Sequence, residues 1–166
     1  MRLAARKILL GTTVFLGATV ALSAQAPFDT FFNAEKITAM IAKAKNQRKP
    51  DQGNFVQPMW SFPPYHANLE YRVHGIDTPP NVHEQDKEII YVVQGGAKFT
   101  MGGHLANEHR TNAANRQGTS VEGGTAQHIS KGAWILVPEN TPHSFTEIED
   151  TLVIISLHVP KDGESK

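Results

Sequence analysis

The chain has 166 residues, its sixteen basic and sixteen acidic side chains cancel to a formal net charge of zero, and it has no cysteine. This length suits one domain with a substantial core rather than two. The balanced charge argues against a nucleic-acid surface, which needs a basic excess. Without cysteine there can be no disulfide, zinc–thiolate site or thiol nucleophile, so any metal must be bound by nitrogen and oxygen ligands.

The first segment of the chain has the pattern of a secretory signal. Arg2, Arg6 and Lys7 give a positive start, and an apolar stretch of about fifteen residues follows at 8–22. This stretch is too short for an ordinary membrane span. We therefore expect residues 1–26 to be a signal peptide, the mature protein to be periplasmic or secreted, and no stable membrane anchor to remain after cleavage. The alternative interpretation is a retained anchor.

Residues 27–54 are predicted to form an N-terminal helix and a linker. Asn33 can cap a helix that runs from residue 34 to about residue 46. Four apolar residues recur at helical spacing and form one stripe, namely Ile37, Met40, Ile41 and Ala44. Such a stripe is more typical of a packing surface than of a ligand site, so we expect the helix to cover one face of the domain. The polar run at 47–57 is interpreted as a linker.

Residues 55–162 show short strand-like runs separated by Gly and Pro, which is typical of an all-β sandwich or barrel. In the run at 68–74 apolar and polar residues alternate, so Glu70, Arg72 and His74 share one face. These three polar residues either line an interior cavity or form a solvated face with an ion pair. Later strands are predicted at 98–101, 126–130, 133–137, 143–147 and 152–159. Between them lies a run rich in Gly, Asn, Thr and Ser at 102–125, which predicts a long loop or insertion, with or without a short hairpin.

The strand at 88–94 is apolar on both faces. Ile90 and Val92 lie on the same face as Glu88, while Ile89 lies on the other. A strand of this kind must be covered on both sides, and the run at 152–157 is similar. Because the N-terminal helix can cover only part of the outer surface, we expect a homodimer or a higher oligomer.

Two spaced motifs stand out in the second half of the chain. In the first, Gly75 is followed by five residues, Asn81, one residue, His83, four residues, Glu88, six residues and Gly95. The second motif has five fixed positions, with five, one, two and three residues between successive ones: Gly132, Pro138, Asn140, His143 and Glu147. It is this spacing that makes His83, Glu88 and His143 candidate ligands, since an isolated histidine is more often a surface residue than a ligand.

Both motifs resemble those of the cupin superfamily. That family's first motif is Gly, five residues, His-x-His, three or four residues, Glu, six residues and Gly. Its second is Gly, five residues, Pro-x-Gly, two residues, His, three residues and Asn. Asn81 replaces the first histidine, Asn140 replaces a glycine, for which Asn is suited because it tolerates left-handed backbone, and Glu147 replaces the last asparagine. The resemblance implies an all-β fold, a small jelly-roll barrel carrying the N-terminal helix.

The resemblance also implies that His83, Glu88 and His143 converge inside the barrel near its mouth. Two imidazoles and one carboxylate suit a divalent metal with open coordination positions, and Fe, Mn, Zn, Ni or Cu would fit such ligands. Asn81 either supplies a weak fourth ligand through its amide oxygen or leaves a position for water or substrate. The alternative is a barrel that has lost its metal.

The predicted function is an exported, metal-dependent enzyme of the oxygenase, isomerase or lyase type that acts on a small organic molecule. Arg72 and Glu70 are the candidate catalytic residues, expected to orient the substrate. His158, in the last strand, is expected either to hydrogen-bond in the core or to face the pocket. The alternative function is a non-catalytic protein that binds a small ligand in the same pocket, because the fold alone cannot choose between these classes.

Overall fold

The computed structural model of the protein describes residues 30–161, so the predicted signal peptide lies outside the described residues. These residues form one helix, α1 (Ala34–Gln47), and thirteen strands. The strands are β1 (Asn54–Phe62), β2 (Tyr65–Val73), β3 (Asn81–His83), β4 (Asp86–Gln94), β5 (Gly96–Met101), β6 (His104–Ala106), β7 (His109–Arg110), β8 (Asn115–Gln117), β9 (Ser120–Glu122), β10 (Thr125–Ser130), β11 (Trp134–Val137), β12 (His143–Thr146) and β13 (Thr151–Pro160). Within 30–161, no helix is long and apolar enough to cross a membrane.

Helix α1 begins where the sequence predicts. The side-chain oxygen of Asn33 accepts a 3.0 Å hydrogen bond from the backbone N–H of Lys36, which satisfies one of the free donors at the helix start. The predicted apolar stripe packs against the outer face of a sheet, with Ala44 fully buried. The predicted linker is wrong at its end, because β1 starts at Asn54. The Gln57 side chain, within β1, donates a 2.7 Å hydrogen bond to the Met40 carbonyl and so joins this strand to the helix.

The strands form two main antiparallel sheets. One sheet has the strand order β1-β2-β13-β4-β11, the other has the order β10-β5-β12-β3-β8-β7, and β6 pairs with β9 in a small third sheet. The predicted loop at 102–125 therefore holds four short strands, of which β8 extends the second sheet by pairing with β3. The all-β architecture with an N-terminal helix is confirmed.

The apolar core fills the space between the two main sheets. In β4 the side chains of Ile90 and Val92 are fully buried there, while their neighbours Ile89 and Tyr91 face outward and are half-buried. The other buried members of this core come from β5, β10, β11, β12, β13 and the turn before β13, and include Phe99, Ile129, Val137, Phe145, Ile148, Leu152 and Ile154. The period-two alternation of the sequence thus sorts inner from outer residues as predicted.

Gly95 and Asn140 are two of the motif residues that adopt left-handed backbone. Gly95 has φ +81°, and a Cβ atom there would collide with the carbonyl oxygen of Thr151, so this position requires glycine. Asn140 has φ +58°, which agrees with the prediction that Asn can replace the glycine of the second motif. These turns set the ends of β4 and the entry to β12.

Candidate metal centre

Four strands bring one carboxylate and three imidazoles to the same end of the barrel. His83 ends β3, His143 begins β12, and Glu88 lies near the start of β4. The antiparallel pairing of β13 with β4 sets His158 directly opposite Glu88. We call this end of the barrel the mouth. His83, Glu88 and His143 therefore lie at this end together with His158, and their role as metal ligands stays a prediction.

The three imidazoles surround the carboxylate of Glu88. Its Oε2 atom lies 3.2 Å from Nε2 of His143 and 3.6 Å from Nε2 of His83, and its Oε1 atom lies 3.9 Å from Nε2 of His158. Potential ligand atoms of His83, Glu88 and His158 all fall within 4.8 Å of one another. Glu88 and His143 are only 4% and 3% exposed, whereas the His83 side chain is 19% exposed. The site is thus buried but reaches solvent beside His83.

The electrostatics of the site favour an ionised carboxylate and a neutral imidazole. Burial by itself raises the pKa of the Glu88 carboxyl, but the close His143 imidazole, with His158 and His83, lowers that pKa from 4.5 to about 2. Burial lowers the pKa of His158, an effect that the charge of Glu88 opposes only in part. Neutral imidazole and anionic carboxylate are the forms that bind metals.

The hydrogen bonding of His143 shows what the cluster lacks. Its Nδ1 atom lies 3.2 Å from the backbone carbonyl oxygen of Thr141, which can only accept, so Nδ1 carries a hydrogen. In the neutral ring Nε2 then presents a lone pair to Oε2 of Glu88. That oxygen is buried and, among the described residues, has no hydrogen-bond donor. Two acceptors held 3.2 Å apart need either a proton on Nε2, which makes the ring an imidazolium that donates to Glu88, or a metal cation beside them. Nitrogen and oxygen ligands of this kind suit a divalent metal.

Asn81 has both ends of its side-chain amide bonded to protein. Its Oδ1 atom accepts a 2.9 Å hydrogen bond from Nε2 of Gln117, and its Nδ2 atom donates to the carbonyl oxygen of Pro79 at 3.3 Å. Its amide oxygen is therefore already engaged by a neighbouring strand. A ligand role for Asn81 stays a prediction.

Glu70 and Arg72 lie inside the barrel but away from the mouth. They form an ion pair at 2.7 Å, and Arg72 also donates to the hydroxyl of Thr78 at 2.7 Å and lies over the ring of Phe145 at 4.5 Å. Glu70 pairs across the sheet with Ile154, four residues before the histidine of β13, which is roughly 13 Å along the strand.

Neither alternative predicted for this polar face holds in full: Glu70 and Arg72 are buried and form an ion pair, whereas His74 is exposed. The structure does not bring this ion pair together with the histidine cluster. A catalytic role for Glu70 and Arg72 stays a prediction.

His158 takes both of the roles that the sequence left open. Its Nε2 atom lies 3.3 Å from the hydroxyl of Ser156, and the same ring faces Glu88. On its other side it stacks on His66, with ring centroids 4.2 Å apart and an interplanar angle of 8°. His66, the partner of His158 in the β2–β13 pairing, received no role in the sequence analysis. The alternation of β13, which places His158 on the same face as Leu152, is the sequence signal for this inward position.

The fold is similar to those of solved structures. KdgF from Halomonas sp. is 22% identical with a TM-score of 0.50, and the match covers 69% of this chain and 85% of KdgF. Fe(II)-HppE with the alternative substrate (S)-1-HPP is 15% identical with a TM-score of 0.50, and the match covers 68% of this chain and 52% of HppE.

The chain therefore spans about half the length of HppE. No protein-family model matches the sequence, and a search of curated proteins finds no significant match. Both solved structures are cupin-fold proteins. The jelly roll predicted from the two motifs is thereby confirmed, and the chain has the cupin fold.

Proposed function

We propose that the protein binds a single divalent metal ion at the mouth of the barrel. Glu88 is the anionic ligand, and His83, His143 and His158 supply imidazole nitrogens. The observation that carries this proposal is the buried Oε2 atom of Glu88, which among the described residues has no hydrogen-bond donor although two imidazole nitrogens lie within 3.6 Å of it. Such a donor set suits Fe, Mn, Zn, Ni or Cu.

We further propose that this centre is catalytic and acts on a small organic molecule. The partial exposure of the His83 side chain supports this, because it gives a bound ion a path to solvent. A set of imidazoles with one carboxylate, as in the 2-His-1-carboxylate type, would leave positions open for substrate on an ion such as iron, which distinguishes a catalytic centre from a closed structural one. A bound metal would supply Lewis-acid or oxygen-activating chemistry. The residues of the chain would hold the ion, and the burial of Glu88 and His143 would keep bulk water away from one side of it.

The test is elemental analysis of protein purified without oxygen and without added chelator. We expect a single divalent ion per chain, which a strong chelator removes and the same metal restores. A protein that is purified without metal and takes up none of Fe, Mn, Zn, Ni or Cu would contradict the proposal. It would then be a barrel without metal that binds a small ligand.

We also propose that the mature protein is exported. The support is the positive start at Arg2, Arg6 and Lys7 with the apolar stretch after it, all of which lie outside the described residues. Expression of the full chain in a bacterium followed by fractionation tests this. Mature protein in the periplasmic or extracellular fraction, shortened near residue 26, is the expected result, and full-length protein in the membrane fraction would support the retained anchor.

A further inference from the structure

Strand β8 contacts the first motif residue by residue. It pairs with β3, so that Asn115 lies opposite His83 and Gln117 lies opposite Asn81. Both amides face these partners, since Asn115 and Gln117 are two residues apart in a strand. The Oδ1 atom of Asn115 lies 2.6 Å from Nδ1 of His83, and Nε2 of Gln117 donates to Asn81 at 2.9 Å. Strand β8 therefore contacts the side chains of both Asn81 and His83 in β3.

The direction of the Asn115–His83 hydrogen bond follows from a chain of contacts that starts at the backbone. The N–H of Ala114 can only donate, and it donates at 2.8 Å to Oδ1 of Asn112. That same oxygen accepts a 3.1 Å hydrogen bond from the side-chain amide of Asn115, so the amide nitrogen of Asn115 points at Asn112. Its oxygen then points at His83. Because this oxygen only accepts, Nδ1 of His83 carries the hydrogen, and Nε2 faces Glu88 with a lone pair at 3.6 Å.

The segment that carries Asn115 is anchored next to His83. The carboxylate of Glu84 accepts two hydrogen bonds from Arg110, at 2.6 and 3.0 Å, and lies 2.9 Å from Arg116. The backbone N–H of Glu84 donates to the carbonyl oxygen of Ala114 at 2.8 Å. Exposed ion pairs add little stability one by one, but a two-pronged arginine–carboxylate contact fixes geometry. The position of Asn115 relative to His83 is therefore set by several independent contacts.

We propose that Asn115 is a positioning residue that holds His83 in the tautomer with its hydrogen on Nδ1, which leaves Nε2 free to bind a metal. This inference rests on the proposed metal centre. Asn115 touches the ligand rather than the ion. Without it a neutral imidazole would populate both tautomers, and the one with hydrogen on Nε2 cannot bind a metal through that atom. Loss of such a partner to a metal-binding histidine typically weakens metal affinity by about 10–100-fold.

The first test reads the tautomer in the metal-free protein. Histidine labelled with ¹⁵N is examined by two-bond proton–nitrogen correlation at about pH 8, above the range in which histidine protonates. We expect hydrogen on Nδ1 of His83 in the parent and in Asn115→Asp, whose carboxylate also only accepts. We expect a mixture of both tautomers in Asn115→Leu. Hydrogen on Nε2 in the parent, or no change in Asn115→Leu, would overturn the proposal.

The second test measures affinity for Zn²⁺ and Mn²⁺ in chelator-stripped protein. Asn115→Leu should bind about 10–100-fold more weakly than the parent, whereas Asn115→Asp should bind at least as tightly. The control matched for the added charge is Asn107→Asp, in the same segment at 102–125, which replaces an amide that donates a 3.0 Å hydrogen bond to the hydroxyl of Thr119 and should leave the affinity unchanged.

The two tests separate the two claims. If the parent binds neither of these ions and none of Fe, Ni or Cu, the metal centre fails, while the tautomer measurement still decides the role of Asn115. If the parent binds and Asn115→Leu binds equally well, the positioning role of Asn115 fails and the metal centre stands. Asn115→Asp decides the matter if Asn115→Leu does not fold, because loss of the Nδ1 hydrogen in Asn115→Asp would contradict the proposal.

Discussion

The backbone N–H of Asn140 donates a 2.8 Å hydrogen bond to the carbonyl oxygen of His83. This contact joins the two motifs, because Asn140 belongs to the turn that leads into β12 and His83 ends β3. The turn needs left-handed backbone at Asn140, where φ is +58°. Two residues further on, Pro142 is buried and His143 follows it. The relative position of the two histidines is therefore set by backbone geometry.

A first prediction concerns this turn. Asn140→Ala should destabilise the metal-free protein by about 1 kcal/mol, because a Cβ residue without a local hydrogen-bonding side chain is strained in left-handed backbone. Asn140→Gly should be close to neutral, since glycine adopts this conformation freely. Urea unfolding of both variants measures the difference. Equal free energies of unfolding for the Ala and Gly variants would contradict the prediction that left-handed backbone at this position disfavours alanine.

A second prediction separates structural from catalytic roles for the buried ion pair. Arg72→Met leaves the carboxylate of Glu70 buried without its charged partner, although Asn54 still donates a 2.8 Å hydrogen bond to it, so the free energy of unfolding should fall by about 3–5 kcal/mol. Replacing both residues, with Glu70→Leu and Arg72→Met, should recover much of this loss. Because the pair lies roughly 13 Å along the sheet from the histidine cluster, metal affinity should not change. Unchanged stability with lost metal binding or lost turnover would instead support the catalytic role that the sequence predicts.

A third prediction concerns the pH dependence of stability in the metal-free protein. The pKa of Glu88 is lower in the folded chain, about 2 against 4.5, so Glu88 stabilises the fold above about pH 4.5 and loses this contribution as pH falls toward 2. His158 resists protonation when folded, so the unfolded chain binds its proton first and stability already starts to fall below about pH 6.5.

Urea unfolding midpoints measured from pH 8 down to pH 3 test this dependence. Glu88→Gln should lose the part of the fall that begins below about pH 4.5, and His158→Ala should lose the part that begins near pH 6.5. If the Glu88→Gln profile superimposes on that of the parent in the acid range, the carboxylate is not held ionised by its imidazole neighbours.

A fourth prediction concerns the oligomer. Trp134 and Leu136 are 70% and 56% exposed on the edge strand β11, and the ring of Trp134 lies 4.7 Å from that of Tyr91 on the neighbouring strand. An exposed apolar patch on an edge strand favours association. We expect a homodimer by light scattering, which Trp134→Glu with Leu136→Lys converts to a monomer. Val56→Glu, on the opposite edge of the same sheet, is the matched control. A parent that is monomeric at high micromolar concentration would contradict the prediction.

The sequence predicts those parts of the site that depend on local order. Alternation in β4 places Glu88 on the inner face with Ile90, and the spacing of the two motifs identifies His83 and His143. The helix cap at Asn33 follows equally from local chemistry. The inner position of Glu88 and the helix cap need only the period of a strand and the free donors at a helix start, whereas His83 and His143 are identified by the resemblance of the two motifs to those of the cupin superfamily.

The remaining parts depend on contacts between residues far apart in the chain. His158 reaches the site because β13 pairs with β4 in one particular register, which no local pattern gives. The contact between Asn115 and His83 spans 32 residues and arises inside a segment that the sequence predicts as a long loop or insertion, with or without a short hairpin. Asn81 stands where the family motif has a histidine, but its amide oxygen is engaged by Gln117 from the same segment. The sequence shows that Asn81 and Asn115 carry amides that can form hydrogen bonds, but it does not show which residues they bond to.

The most direct test of the metal centre is a metal titration of chelator-stripped protein by equilibrium dialysis, for the parent, Glu88→Gln, His143→Ala and Asn81→Ala. We predict that the parent binds a single divalent ion. Glu88→Gln and His143→Ala should stay folded but bind at least about 100-fold more weakly, since removing a ligand should cost no less than removing a ligand's partner. Asn81→Ala should remain closest to the parent. A parent that takes up no ion, or Glu88→Gln and His143→Ala variants that bind as tightly as the parent, would contradict the account.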